Sequence, residues 1–344
     1  MLFASTILSL SAHATVRTVS NNLNSPGQFQ TVLSAINAGT IGDTIYITPS
    51  PYTYDSFTFP TNKSGMILIG GGYNNSDLPN NLSSIMGSLS FINGSGANFS
   101  FSGLQIAAVS TSNAITNVNN YVFKRCYIPG LIQVCGSGWT FENCVLINFT
   151  FLNQQNVSIS NTTVRNCFIA GNITGSPMVT ATNQLFYHNI IEGKINSLPS
   201  STFIDNVFFF ANVSASTGTT NCVFNNNLTY NTTADVVPFN VAGGNSGSNN
   251  YIKTIADGFQ FNNNLAAVQA YPALLSVNWT INPSSQGHNG ATDGTDAGIY
   301  GGFFPLVDFS GATGLPQMTF MNVTNTSILA NGTLNVQFKA RKHN

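Results

Sequence analysis

The apolar positions between Phe101 and Thr229 write one six-residue phrase seven times. A large apolar residue comes first. A small or polar residue follows three positions later, and an apolar residue closes most copies two positions after that. The copies are Phe101-Leu104-Ile106, Phe123-Cys126-Ile128, Phe141-Cys144-Leu146, Val164-Cys167-Ile169, Phe186-Asn189-Ile191, Phe203-Asn206-Phe208 and Phe224-Asn227-Thr229. Their middle positions step by 22, 18, 23, 22, 17 and 21 residues. A period of this size means stacked units, each too small to bury a core alone. Within a unit the apolar runs are short, rich in Phe, Val, Ile and Thr, and separated by Asn, Gly and Ser. That is strand-and-turn chemistry. No apolar i, i+3, i+4 spacing persists inside a unit, and the regular leucines of leucine-rich repeats are missing. The pattern predicts coils of a parallel β-helix, with like residues stacked about 4.8 Å apart and insertions absorbed by the turns.

Outside this ladder the pattern predicts an end cap and an extension. Ser25 is placed to cap a helix, Pro26 suits its first turn, and Phe29, Val32, Leu33 and Ile36 make one apolar face that ends near Gly39. Such a helix would cover the open apolar end of the first coil. Gly314 to the end alternates apolar and polar residues around an Asn331-Gly332 turn signal, which predicts a hairpin. The first fourteen residues, MLFASTILSLSAHA, read as the apolar core and small-residue cleavage site of a secretory signal, without a basic leading segment. The domain scheme is therefore 1–14 signal peptide, 15–61 cap and first coil, 62–303 β-helix, and 304–344 C-terminal β extension. The expected fold class is all-β: a right-handed parallel β-helix of roughly ten coils, with a helical cap and that extension.

Composition narrows the function classes. Only 6% of the 344 residues are charged and the net charge is −1, so Asn, Ser, Thr and Gly supply the polar surface. A surface of this kind repels its own copies weakly, which makes lateral self-association or fibre formation a natural expectation. Ten scattered Lys and Arg argue against nucleic acid as a partner. No apolar run reaches the roughly 20 residues of a membrane span. Five cysteines cannot all pair, and Cys126, Cys144 and Cys167 share one ladder position, so they are expected as stacked, buried thiols. A metal site in that column is not expected, because it has neither His nor close Cys pairs.

The run SNNLNSPGQFQTVLSAINAGTIGDTIYITPSPYTY, followed by MILIGGGYN, resembles the N-terminal capping region of secreted right-handed parallel β-helix proteins of the pectate-lyase-like superfamily. Proteins of this kind are common in Bacteroidetes, and many have no assigned function. The segment Asp293-Gly-Thr-Asp296-Ala-Gly-Ile-Tyr-Gly-Gly302 resembles their last-coil motif, in which a strand closes the stack. The resemblance spans roughly residues 15 to 303. It implies architecture, and it leaves activity open, because the superfamily holds lyases, hydrolases, adhesins and structural members.

Eleven acids make the search for chemistry short. Lys124, Glu142 and Arg165 precede the ladder residue by two places on successive coils. They form the best acid–base constellation, or else a surface ion-pair column that fixes register. The second reading is favoured, because one Glu cannot serve as both acid and base in hydrolysis. His188 and Asp205 directly precede the ladder residue on adjacent coils and are placed to pair. Asp293 and Asp296 are the closest acidic pair. The DGTD run resembles part of a calcium loop but lacks the third acid and terminal Glu, so turn-forming Asp is expected and no cofactor is assigned. The phenylalanine column reads as core. Trp139, Tyr187 and Tyr230 are the aromatic residues proposed for an outer, ligand-contacting face. The leading expectation is a secreted or bacterial cell-surface protein without catalysis, structural, adhesive or glycan-contacting. The alternative is a polysaccharide lyase or glycoside hydrolase of the superfamily.

Overall fold

The computed structural model describes residues 14–74, 82–92, 94–111, 118–151, 159–175, 181–209, 219–231, 243–254, 278–309, 311, 317–323 and 336–341. The chain winds as a parallel β-helix. Ten strands, one per coil from Val16–Val19 to Val223–Asn225, form one parallel sheet. A second parallel sheet carries the outgoing strand of each coil and runs from Phe57–Thr58 to Tyr251–Thr254. The ladder read from the sequence is the register of the first sheet. Phe101, Phe123, Phe141, Val164, Phe186, Phe203 and Phe224 stand directly opposite one another on successive coils. Their rings stack almost flat where Phe follows Phe, at 4.7 Å for Phe101 on Phe123 and 4.8 Å for Phe203 on Phe224. Val164 interrupts the stack, and Phe149 from the second sheet sits edge-on to Phe141 at 5.1 Å there. Face-to-face stacking is imposed here by the strand spacing, since one coil repeats within the distance that stacked rings require.

The helical cap is shorter than its apolar pattern suggests. The helix covers Val32–Ala38, with Thr31 rather than Ser25 as its N-cap, and it stops at Gly39 as expected. Phe29 is diverted because its backbone pairs with the first strand, donating to the Thr18 carbonyl and accepting from the Ser20 amide. Val32, Ala35 and Ile36 bury against the first coils. Asp43 pins that end. Its carboxylate accepts from the amides of Thr15 and Thr40 at 2.8 and 2.9 Å and from Arg17 Nε at 3.0 Å. The Thr40 amide bond contributes most to lowering its pKa to about 2; burial opposes the shift, and Thr15 and Arg17 add to it. The folded value lies below the ordinary 3.8, so the stabilisation is complete above pH about 4 and is lost as pH falls toward 2. Amide exchange in Val16–Val19 should therefore accelerate across that interval. Asp43→Asn should flatten the dependence, and an unchanged acid profile in that variant would contradict the assignment.

At the C-terminal end, Gln317–Val323 and Val336–Arg341 pair antiparallel, which is the expected extension. The Asn331-Gly332 turn signal and residues 1–13 of the signal reading lie outside the described residues. Among the described residues no helix is long and apolar enough to cross a membrane.

Candidate functional site

Two residues make the corner between the sheets. The first adopts the left-handed conformation: Gly103, Arg125, Asn143, Asn166, His188, Asp205 and Asn226 have φ between 50° and 64°. Asn, Asp and Gly tolerate this region at the lowest cost. The second is the ladder residue, whose side chain turns inward and, where it is Cys or Asn, bonds a neighbouring coil. At one end these are thiols: the Cys144 amide reaches Cys167 Sγ at 3.3 Å. All five cysteines are free and buried, and burial raises the pKa of Cys126 and Cys167 well above the ordinary range. From Asn189 onward the column becomes an amide ladder. The Oδ1 atoms of Asn189, Asn206, Asn227 and Asn250 each accept the ladder amide of the preceding coil at 2.9–3.1 Å.

The residue after the ladder position points outward. Tyr127, Val145, Phe168, Ile190, Val207 and Leu228 form a second apolar column on the outside of the coils, and all are buried. What buries them is the chain itself. Residues 279–309 run back along the corner as a strap, and Trp279, Ile281, Ala297, Ile299, Leu306 and Phe309 pack on that column. The corner residues hold the strap in reverse order. Asn226 Nδ2 donates to the Gly290 carbonyl, Asp205 accepts from Thr292, Asn166 donates to the Ile299 and Gly301 carbonyls, and Asn143 donates to the Pro305 carbonyl. The segment Asp293–Gly302, expected to close the stack as a strand, is a series of turns lying along the corner. Its glycines and short polar residues suit close backbone approach better than a ladder position.

The strap completes one cluster. His188 and Asp205 sit on neighbouring coils, fully buried, with Nε2 and Oδ2 3.6 Å apart. Asp293 arrives from the strap with its Oδ2 3.3 Å from the same Nε2. Donor atoms of all three lie within 4.8 Å of one another, which makes this a group able to hold a metal ion. Asp205 accepts from the Thr292 amide at 2.8 Å and from its hydroxyl at 2.5 Å. Burial nevertheless raises its pKa. For Asp293 burial pulls in the same direction, but hydrogen bonds from Thr295 and the neighbouring His188 and Tyr187 hold its pKa below the usual range. Tyr187 donates to Asp293 Oδ2 at 3.1 Å, and burial followed by that bond pushes its pKa to about 12.

No protein-family model matches the sequence, and no curated protein matches it significantly. Among solved structures, pectate lyase Pel9A aligns with 88% of this chain and 97% of its own length, at 12% identity and a TM-score of 0.45. A rhamnogalacturonan lyase aligns with 63% of this chain and 69% of its own, at 12% identity and a TM-score of 0.33. The pectin methylesterase of Aspergillus niger aligns with 78% of this chain and 96% of its own, at 12% identity and a TM-score of 0.34. Likenesses this distant say nothing about the corner site.

The other sequence candidates separate. Lys124, Glu142 and Arg165 are in register on three coils. Lys124 Nζ lies 3.4 Å from one Glu142 oxygen, while Arg165 binds the other through Nη2 and through Nε at 2.9 Å. The Arg165 guanidinium also lies over the Phe304 ring of the strap at 3.7 Å. Glu142→Gln should cost less than about 1 kcal/mol, the ordinary range of partly exposed pairs, in urea unfolding. A loss of several kcal/mol would show that the column does more than set register. Asp296 turns from Asp293 to pair with His288 at 2.8 Å, so the DGTD run divides between two partners. Trp139 is fully buried rather than on an outer face, because its indole N–H finds the Val118 carbonyl at 2.9 Å and its ring joins the core. Tyr187 serves the cluster. Tyr230 lies in a strand between Phe209 and Lys253 of the adjacent coils. Left-handed corner positions and the strap were the features sequence reasoning missed. The signal available for the corner was the run of Gly, Asn and Asp directly before the ladder residue.

Proposed function

We propose that this chain is a non-catalytic β-helix module of a secreted or cell-surface protein, a rigid scaffold that presents a largely uncharged surface to glycan or to copies of itself. The observation carrying this reading is the strap. The outer apolar column and the acids beside it are spent on holding the chain's own C-terminal segment, where a cleft for a polymer would need them free. The ion-pair column supports it too, since Glu142 binds two cations and Arg165 is shared between Glu142 and Phe304. The uncharged polar composition suits the same role, as does Phe303, 81% exposed on the strap as a ring available for sugar contact. A lyase or hydrolase is the competing reading. Incubation with polygalacturonate, alginate and rhamnogalacturonan should give neither unsaturated products nor new reducing ends. Binding to one of these polymers, or concentration-dependent assembly in sedimentation, should be weakened by changes at the strap surface such as Phe303→Ala. Turnover abolished by Glu142→Gln or Arg165→Ala would overturn the reading in favour of the enzyme.

A further inference from the structure

The cluster under the strap has a mismatch that a hydrogen-bonding account leaves open. Two carboxylate oxygens, Asp205 Oδ2 and Asp293 Oδ2, converge on one nitrogen, His188 Nε2, at 3.6 and 3.3 Å. A single imidazole N–H cannot serve both at full strength. His188 Nδ1, on the other side of the ring, is buried without a hydrogen-bond partner. No Lys or Arg among the described residues pairs with either acid, so the buried Asp205 carboxylate and the partly exposed Asp293 carboxylate have only the imidazole between them. The remaining polar contacts all come from donors: Thr292 to Asp205, and Thr295 and Tyr187 to Asp293. Three lone-pair-bearing atoms thus face one point, backed by a shell of donors that fixes the carboxylates.

We propose that His188 Nε2, Asp205 Oδ2 and Asp293 Oδ2 bind one divalent ion of the zinc type, which fastens the strap to two adjacent coils. The spacing suits it. Bonds of roughly 2.0–2.1 Å in tetrahedral geometry put ligand atoms about 3.3 Å apart. The nitrogen-to-oxygen separations of 3.3 and 3.6 Å lie close to that edge. One imidazole with two carboxylates is a ligand set for zinc or a neighbouring first-row ion. Calcium wants six to eight oxygens, far more than this corner supplies. The ion would neutralise the two acids and join residues 17 apart on neighbouring coils to a third more than 80 positions further along the chain. A ligand set drawn from two coils and the strap forms only when the strap is seated, so ion binding and strap docking are one equilibrium.

The test uses the full chain, stripped with a chelator and titrated calorimetrically with zinc, with calcium and magnesium in parallel. The expected result is one equivalent of zinc per chain, a raised melting temperature, and little response to calcium or magnesium. His188→Gln and Asp293→Asn should each weaken zinc binding by more than the roughly 10–100-fold that second-shell changes cost. Asp296→Asn, which touches His288 instead, should leave it unchanged. Asp293→Asn keeps its place on the strap and guards against a folding defect at buried His188, with circular dichroism as the check. X-ray absorption on the zinc-loaded parent needs no variant. Nitrogen and oxygen ligands including an imidazole support the proposal, and sulfur ligands would assign the ion to the cysteine column and overturn it. Absence of a one-to-one site, or affinity unchanged in both His188→Gln and Asp293→Asn, would also overturn it.

Discussion

Asn206→Leu is expected to destabilise the β-helix by about 4 kcal/mol, far beyond a typical side-chain change. Asn206 Oδ1 accepts from the Asn189 backbone amide and from Asn189 Nδ2, both at 2.9 Å. Its Nδ2 donates to the Phe186 carbonyl and to Asn227 Oδ1, both at 3.0 Å. Leucine fills the volume but leaves the Asn189 backbone N–H and one hydrogen of Asn189 Nδ2 without a partner, while the Phe186 carbonyl keeps its place in the parallel ladder. A buried unsatisfied group costs roughly 1–3 kcal/mol, so two of them set the scale. The damage should also spread along the stack, because each amide in the ladder both receives and gives. Cys126→Ala is the contrast. There the side chain is a thiol, which donates weakly to the Phe101 carbonyl at 3.7 Å, and the expected loss is less than half as large. Urea unfolding followed by circular dichroism measures both. Equal losses in the two variants would mean that the amide ladder is no stronger than the thiol column it replaces.

The inner face of this molecule was legible because a parallel β-helix stacks like on like. Phe101 to Phe224 recur at one register position, and a period-20 phrase of Phe and Cys or Asn has few other physical explanations. The change from Cys167 to Asn189 was legible as a move from apolar packing to amide bonding for the same reason. The outside was harder. Tyr127, Val145, Phe168, Ile190, Val207 and Leu228 stand next to inward-facing residues, so strict alternation fails there and two adjacent apolar residues look like one thick core strand. Only a second layer explains them, and the strap that supplies it has no period of its own. Trp139 was misplaced for a related reason. An amphipathic ring reads as interfacial until a buried carbonyl, here that of Val118, is found for its N–H. His188 and Asp205 were legible as neighbours, but Asp293 was not, since nothing local ties a residue more than 80 positions away to the same corner.

Gly301→Ala is the substitution expected to release the strap. A Cβ at Gly301 would lie 1.8 Å from the Asp296 carbonyl oxygen and 2.7 Å from both Cε1 and Nδ1 of His188. The first contact is backbone and the second is a fully buried ring, so neither can yield cheaply. The Gly301 carbonyl also accepts from Asn166, so any shift that relieves the clash loses that bond. Overpacking of this kind costs roughly 1–3 kcal/mol, and the lost anchor adds to it. An expected loss of about 3 kcal/mol should appear as strap opening before the coils unfold, because the Phe ladder and the amide ladder do not pass through Gly301. Proteolytic cleavage within 285–309 should therefore rise steeply while the far-ultraviolet spectrum changes little, and an apolar dye should find the uncovered Tyr127-to-Leu228 column. Gly294→Ala separates the clash from glycine's conformational freedom. Gly294 has a positive φ of 80° and nothing within 4 Å of a new Cβ, so that variant should lose only the roughly 1–2 kcal/mol of left-handed strain. If Gly294→Ala opened the strap as readily as Gly301→Ala, close packing on His188 would not be what holds it.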